Sequence, residues 1–199
     1  MVAPGISIGS ALKILHTADC LPTIPANRLH LRWLTPDDAP ALLAVFGDPE
    51  VCRYWSRPAL ADLEAARALQ REIVRLFEER TLFQWGIADG ATGTVVGTCT
   101  LASLSEEHRR AEVGFALARA AWGHGYMAEA LPALIGFAFT TLDLRRLEAD
   151  VDPRNTRSIQ VLERAGFRRE GYQRERHQLH GELQDAVLYG LLRREWRLE

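Results

Sequence analysis

Residues 118–130 read Ala-Arg-Ala-Ala-Trp-Gly-His-Gly-Tyr-Met-Ala-Glu-Ala, with two closely spaced glycines ahead of an apolar run. A glycine turn that leads from a strand into a helix leaves backbone N–H groups without internal partners. It aims them along the positive end of the helix dipole. That is chemistry for an anion, and a phosphate or pyrophosphate suits it. Gly123 and Gly125 let the backbone approach such a group with no Cβ in the way. Further along, Asp152-Pro153-Arg154-Asn155-Thr156-Arg157-Ser158 precedes an amphipathic run that stops at Ala165-Gly166-Phe167. Asn155 stands where a helix cap belongs, and Gly166 where a helix stop belongs.

The glycines need a strand before them and a helix after them. Residues 111–117 read as the strand and 126–140 as the helix. Regular structure is expected to begin at Arg28, where Leu29, Leu31 and Trp33 alternate with His30 and Arg32. Thr35-Pro36-Asp37-Asp38 is a helix start, and Gly47 can end that helix. Asp48-Pro49-Glu50 opens a turn or short helical piece reaching Tyr54-Trp55. Leu63, Ala66, Leu69, Ile73, Leu76 and Phe77 recur at helical spacing. Residues 82–88 and 94–104 form a hairpin, and 110–117 continue the meander. A strand at 147–151, the Asn155-capped helix and a final hairpin over 167–192 complete the order. The fold class is α+β. One mixed, mostly antiparallel sheet of about seven strands is flanked by about four helices, with the parallel pair at the glycine turn.

The chain of 199 residues supports one sizeable core, read as a domain over 27–199. Residues 1–26, with Pro4, Pro22 and Pro25 and no clear period, read as an extension, disordered in part or packed on a partner in a homodimer. A net charge of −2 offers no basic surface for nucleic acid. No apolar run approaches a membrane span, and Lys13 follows the apolar N-terminal stretch instead of preceding it, unlike a signal peptide. Cys20, Cys52 and Cys99 have neither metal-ligand spacing nor a disulfide pattern, which fits a reducing cytosol.

The glycine turn together with Asn155-x-x-Ser158 and Leu162-Glu163-Arg164-Ala165-Gly166-Phe167 resembles the GCN5-related N-acetyltransferase (GNAT) family. The Trp122–Tyr126 wording is similar to its ribosomal-protein alanine N-acetyltransferase (RimJ/RimL-type) branch. The resemblance covers Asn27 to the C-terminus. It implies acetyl-CoA as co-substrate, no metal, and acetyl transfer to an amine, with a protein N-terminal α-amine favoured. A small amine (amino acid, polyamine or aminoglycoside) is the rival acceptor, and a non-catalytic acyl-CoA-binding module is the rival class. It also implies that the pyrophosphate lies on the N–H groups of Gly123, His124, Gly125, Tyr126 and Met127, beside Trp122. The pantetheine arm would pair with the strand edge at Phe115, Ala116 and Leu117 and reach Asn155. Arg119, Arg154 and Arg157 are candidates for outer phosphate contacts. Tyr54 and Trp55 would border the acceptor.

Two departures bear on mechanism. The family's Gln or Arg three residues before the first glycine is Ala120 here, so the cradle rests on backbone groups. The family's tyrosine acid falls on Leu162, which leaves Ser158 to serve the leaving thiolate. The attacking amine must be neutral. An α-amine is about one-tenth neutral at pH 7, against roughly one lysine ε-amine in 2,500, a difference of about 3–4 kcal/mol. Glu112, an acid in a small or apolar strand run, is the candidate base. His124, His108, His177 and His180 are read as surface side chains.

Overall fold

The computed structural model describes residue 15 and residues 18–55, 57–179 and 181–196. The strands are β1 (Ile24–Ala26), β2 (Leu29–Arg32), β3 (Leu82–Asp89), β4 (Val95–Ser105), β5 (Arg110–Leu117), β6 (Arg146–Val151), β7 (Arg168–Leu179) and β8 (Glu182–Leu192). The α-helices are α1 (Ala39–Phe46), α2 (Pro49–Cys52), α3 (Leu63–Glu78), α4 (Tyr126–Thr140) and α5 (Thr156–Arg164). One sheet runs in the order β1-β2-β3-β4-β5-β6-β8-β7. Every neighbouring pair is antiparallel except β5 and β6.

The α+β architecture stands, and among the described residues eight strands are found where about seven were expected and the five α-helices given above where about four were. The added strand, β1, means the sheet begins before Arg28. Its three residues are too few to show a period, but they pair with β2, and Leu21 and Ile24 are buried. Trp85 Nε1 donates to the Pro22 carbonyl at 2.9 Å and Arg80 to the Leu15 carbonyl at 2.8 Å. The added helix is the four-residue α2, capped by Asp48, which accepts from the Glu50 N–H at 2.8 Å.

Alternation along each strand divides the core between the two faces. Ala111, Val113, Leu147, Ala149, Val151 and Tyr189 pack with Leu131, Leu134 and Ile135 of α4 and Leu162 of α5. On the other face Leu34, Val95 and Ala116 pack with Leu42, Val45 and Phe46 of α1 and Ile73 of α3. Glu112, Glu148 and Asp150 have the opposite parity to the apolar set of β5 and β6, so they belong to the second face.

One irregularity dominates the middle of the sheet. β5 pairs with β6 only through Arg110–Arg146, Ala111–Leu147 and Glu112–Glu148. Past Glu112 the two strands separate, while β5 stays paired with β4 as far as Leu117. The helix and strand that follow Leu117 both hang from this opening. Opposite Glu112, β4 shifts register between Ala102 and Ser105, and Ser103 takes a positive φ of 50°.

Candidate active site

The mouth of the opening is the glycine turn. Gly123 and Gly125 have φ of +80° and +79°, and His124 between them does not. Such alternation turns successive N–H groups to one side, forming an anion nest at the start of α4. A Cβ at Gly123 would meet nothing within 4 Å, so backbone conformation, not protein packing, asks for glycine there. The N–H groups of Tyr126 and Met127 lie in the first helical turn, which has no intrahelical acceptors for them. Met127's side chain is buried against Cys99, their sulfurs 4.0 Å apart, so only its backbone faces the turn.

Trp122 departs from the cradle role. Its backbone N–H donates to the Arg119 carbonyl at 3.2 Å and its Nε1 to the Leu117 carbonyl at 2.9 Å. What it offers is a ring face, with the Arg157 guanidinium 4.3 Å from its centroid.

Arg28 braces the turn from outside, and nothing in its sequence neighbourhood signals this. Its guanidinium donates to the His124 carbonyl at 2.9 Å and to Glu129 at 2.8 Å, and it lies 5.2 Å from the Tyr126 centroid. The pair holds Glu129, an acid in the first turn of α4, below the usual carboxylate range. His124 is exposed and stacks on Tyr126, which fits its reading as a surface side chain.

Along the opening, the Ala118 N–H donates to Val96 of β4 at 2.9 Å. Strand alternation then turns the backbone groups of Ala116 and Gly114 toward β4, and those of Val113, Phe115 and Leu117 toward the gap. Two of the three expected strand-edge residues sit differently from Phe115. Ala116 faces β4 and buries its methyl with α1 and α3, while the Leu117 carbonyl is already taken by Trp122. Phe115 keeps its backbone on the gap.

Across the gap stands the start of α5. Asn155 caps it, its Oδ1 accepting from the Ser158 N–H at 3.2 Å, and both residues are half-buried. Cap and ligand roles are compatible, because the cap uses only the oxygen of the amide.

Glu112 sits at the vertex where β5 and β6 part. Burial pushes its pKa up, and the neighbouring charges of Asp150 and Glu148 push it further. Arg176 and a hydrogen bond from the Ser103 side chain work the other way. Arg110 pairs with Glu148, which Arg146 also holds at 2.7 Å. Asp150 accepts from Arg176 at 3.3 Å and from His177 at 3.1 Å. Asp152 accepts from both sides of the Arg154 guanidinium at 2.9 and 2.7 Å. Burial alone would raise Asp152, yet Arg154 holds it below its ordinary value. Each outward acid of β6 thus has an arginine close by, whereas Glu112 has a hydroxyl.

The three outer arginines part company. Arg154 is spent on Asp152, Arg119 lies 3.8 Å from Asp48, and Arg157 alone stands on the turn. His177 is partly exposed as expected but is engaged with Asp150, a partnership created by the β7 bulge between Gln173 and His177.

A pocket of about 510 Å³ opens beside Arg154, between α2 and the β7–β8 hairpin, lined by Pro49, Cys52, Arg53, Tyr54, Glu182 and Gln184 among others. The Tyr54 hydroxyl donates to the Arg154 carbonyl at 3.4 Å. Trp55 instead packs on Phe46, centroids 5.2 Å apart, so of the two expected acceptor-lining aromatics only Tyr54 lines this pocket.

The sequence and the fold are similar to those of known proteins. Residues 28–168 match the family model described as Acetyltransferase (GNAT) domain. The chain is 37% identical over 174 residues to "Uncharacterized N-acetyltransferase p20" of Bacillus licheniformis, covering 87% of this chain and 98% of that protein. It is 28% identical over 120 residues to "[Ribosomal protein uS5]-alanine N-acetyltransferase" of Escherichia coli, covering 60% of this chain and 62% of that one. In fold it is similar to Mycobacterium smegmatis RimJ, solved in complex with CoA-disulfide. The TM-score is 0.79 at 23% identity, over 89% of this chain and 90% of that chain. An acyltransferase that takes acetyl-CoA as co-substrate and an amine as acceptor is what these likenesses support. The chain belongs to the GNAT acetyltransferase family.

Proposed function

We propose that this protein moves the acetyl group of acetyl-CoA directly to a protein N-terminal α-amine within a ternary complex in the cytosol. The observation that carries this reading is the opening between β5 and β6, with the raised carboxyl of Glu112 at its vertex and the glycine nest at its mouth.

The nest and the start of α4 hold the pyrophosphate, with Arg157 beside it. Phe115 and Val113 on the gap side of β5 pair with the pantetheine amides as an added strand would. The Asn155 amide N–H groups, which the cap does not use, donate to the same arm. Glu112 takes a proton from the incoming ammonium, directly or through a water. The amine nitrogen then bonds to the acetyl carbon, the carbon–sulfur bond breaks, and the proton that the nitrogen sheds passes through the Ser158 hydroxyl, or a water it holds, to the thiolate, which leaves the hydroxyl neutral. A gap-facing N–H of β5 polarises the carbonyl oxygen.

Two considerations support an α-amine. It needs about 3–4 kcal/mol less help to lose its proton than a lysine does. The pocket at Tyr54 is lined by Arg53, Arg154 and the single acid Glu182, and with Arg154 paired to Asp152 it has no excess of acid to draw in a polyamine or aminoglycoside. The test is free-thiol release from acetyl-CoA with an N-terminal peptide, spermidine, an aminoglycoside and a free amino acid. Fastest release with the peptide is expected. Release only with the small amines, or none despite acetyl-CoA binding, overturns the reading.

A second measurement bears on the nest. A β-branched residue in the left-handed region costs about 1–2 kcal/mol. Gly125→Val is therefore expected to weaken acetyl-CoA binding about tenfold or more in calorimetry. Unchanged affinity would remove the turn from the binding site.

A further inference from the structure

We infer that the side-chain amide of Gln184 recognises a peptide group of the acceptor, in the pocket between α2 and the β7–β8 hairpin. The inference rests on the acceptor reading above and names the group that selects a peptide. Gln184 is 5% exposed and lines the pocket, and its Oε1 is buried without a hydrogen-bond partner. Its neighbour Leu183, of opposite strand parity, is 60% exposed. A buried amide oxygen with no donor weakens a fold, and an apolar side chain of the same size would serve packing better. The group is poor architecture and suits a ligand.

Three other polar residues of the pocket wall, Arg154, Tyr54 and Cys52, are already engaged. Arg154 holds Asp152 with its guanidinium and accepts from Tyr54 with its carbonyl. The Cys52 thiol donates to the Phe46 carbonyl at 3.1 Å. Arg53 and Glu182 supply charge, and Gln184 is the neutral side chain whose buried amide oxygen is left to read a neutral group of the ligand. A primary carboxamide carries one acceptor and one donor side, and a half-turn exchanges them. A peptide group offers the matching N–H and C=O. A polyamine offers only ammonium donors, which a carboxylate would hold better. The pocket is tied to the acetyl-transfer centre through Arg154, the residue before Asn155. An extended peptide advances about 3.3–3.6 Å per residue, so one of its first amides is the one read.

The experiment uses the full chain, acetyl-CoA, and a peptide N-methylated in turn at each of its first three amides. For the unaltered protein, one methylation is expected to lower kcat/KM about 10–100-fold, mainly through KM. Gln184→Met is expected to lower kcat/KM on the parent peptide by a similar factor and to add no further loss on that methylated peptide. Its acetyl-CoA affinity and Tm should not fall. Equal losses on parent and methylated peptides, or no loss at all, would overturn the inference while leaving peptide acetylation standing. The methylation series on the unaltered protein is independent of how the variant folds, and a flat series overturns the inference by itself. Absence of acetylation with every peptide removes the acceptor reading and this inference together.

Discussion

Replacing Glu112 with Gln is expected to lower kcat about 10²–10⁴-fold while leaving acetyl-CoA binding unchanged. The substitution keeps the size of the side chain and the Ser103 contact but removes the oxygen that takes the proton. Glu112 has the opposite strand parity to Val113 and Phe115, which present backbone to the donor arm, so cofactor affinity should be indifferent to the change. The pH profile gives a sharper reading. Burial and the charges of Asp150 and Glu148 raise the carboxyl's pKa. A base must be ionised to work, so the acid limb of kcat/KM should fall at higher pH than for an ordinary carboxylate. It should be absent from Glu112→Gln.

The same shift has an opposite consequence for stability. A carboxyl whose folded pKa lies above its unfolded value costs the fold stability wherever it is ionised in both states. That cost is complete above the folded pKa, shrinks as pH falls through it, and vanishes below the unfolded pKa. Glu112→Gln should therefore have the higher Tm at neutral pH, with the advantage disappearing in acid. A variant equal to the unaltered enzyme in turnover and in Tm at every pH would remove Glu112 from both roles.

The second large effect is structural. Trp85→Ala is expected to cost about 3–5 kcal/mol, lowering Tm on the order of 10 °C for a chain of this size. Trp85 is fully buried in β3 and meets Phe137 of α4 edge-on, centroids 5.8 Å apart. Its Nε1 also fastens Pro22, at the approach to β1. One side chain thus joins the sheet, the helix that carries the glycine nest and the segment that leads into β1. Trp85→Phe retains most of the apolar area and should recover most of the loss in a thermal melt. Equal melting of the Ala variant and the unaltered protein would show that these joints are unimportant.

What could be read in advance follows the range of the physics involved. The glycine pair, the Asn155 cap and the Gly166 stop are local, since positive φ and orphan N–H groups are set by a few neighbouring residues. Amphipathic periods likewise located α3 and α5, and turn signals the hairpin strands. The Glu112 signal was local too, an acid in an apolar strand. β1 was missed because three residues carry no period, and its place depends on Trp85 and β2, far along the chain. The packing of Trp55 on Phe46 and the burial of the Ala116 side chain with α1 and α3 were not legible in advance, because which face of an element meets the core is decided by its neighbours.

By itself the sequence determined the glycine turn, the capped helix after it and hence the family, because those rest on short-range backbone geometry. Only the tertiary structure decided how the charges are spent. It gave Arg154 to Asp152 and Arg110 to Glu148, set Arg28 behind the nest, brought His177 to Asp150 and left the Gln184 oxygen unpaired. Long side chains choose partners by proximity in space, and strand order, register and bulges create that proximity between residues that no local pattern connects.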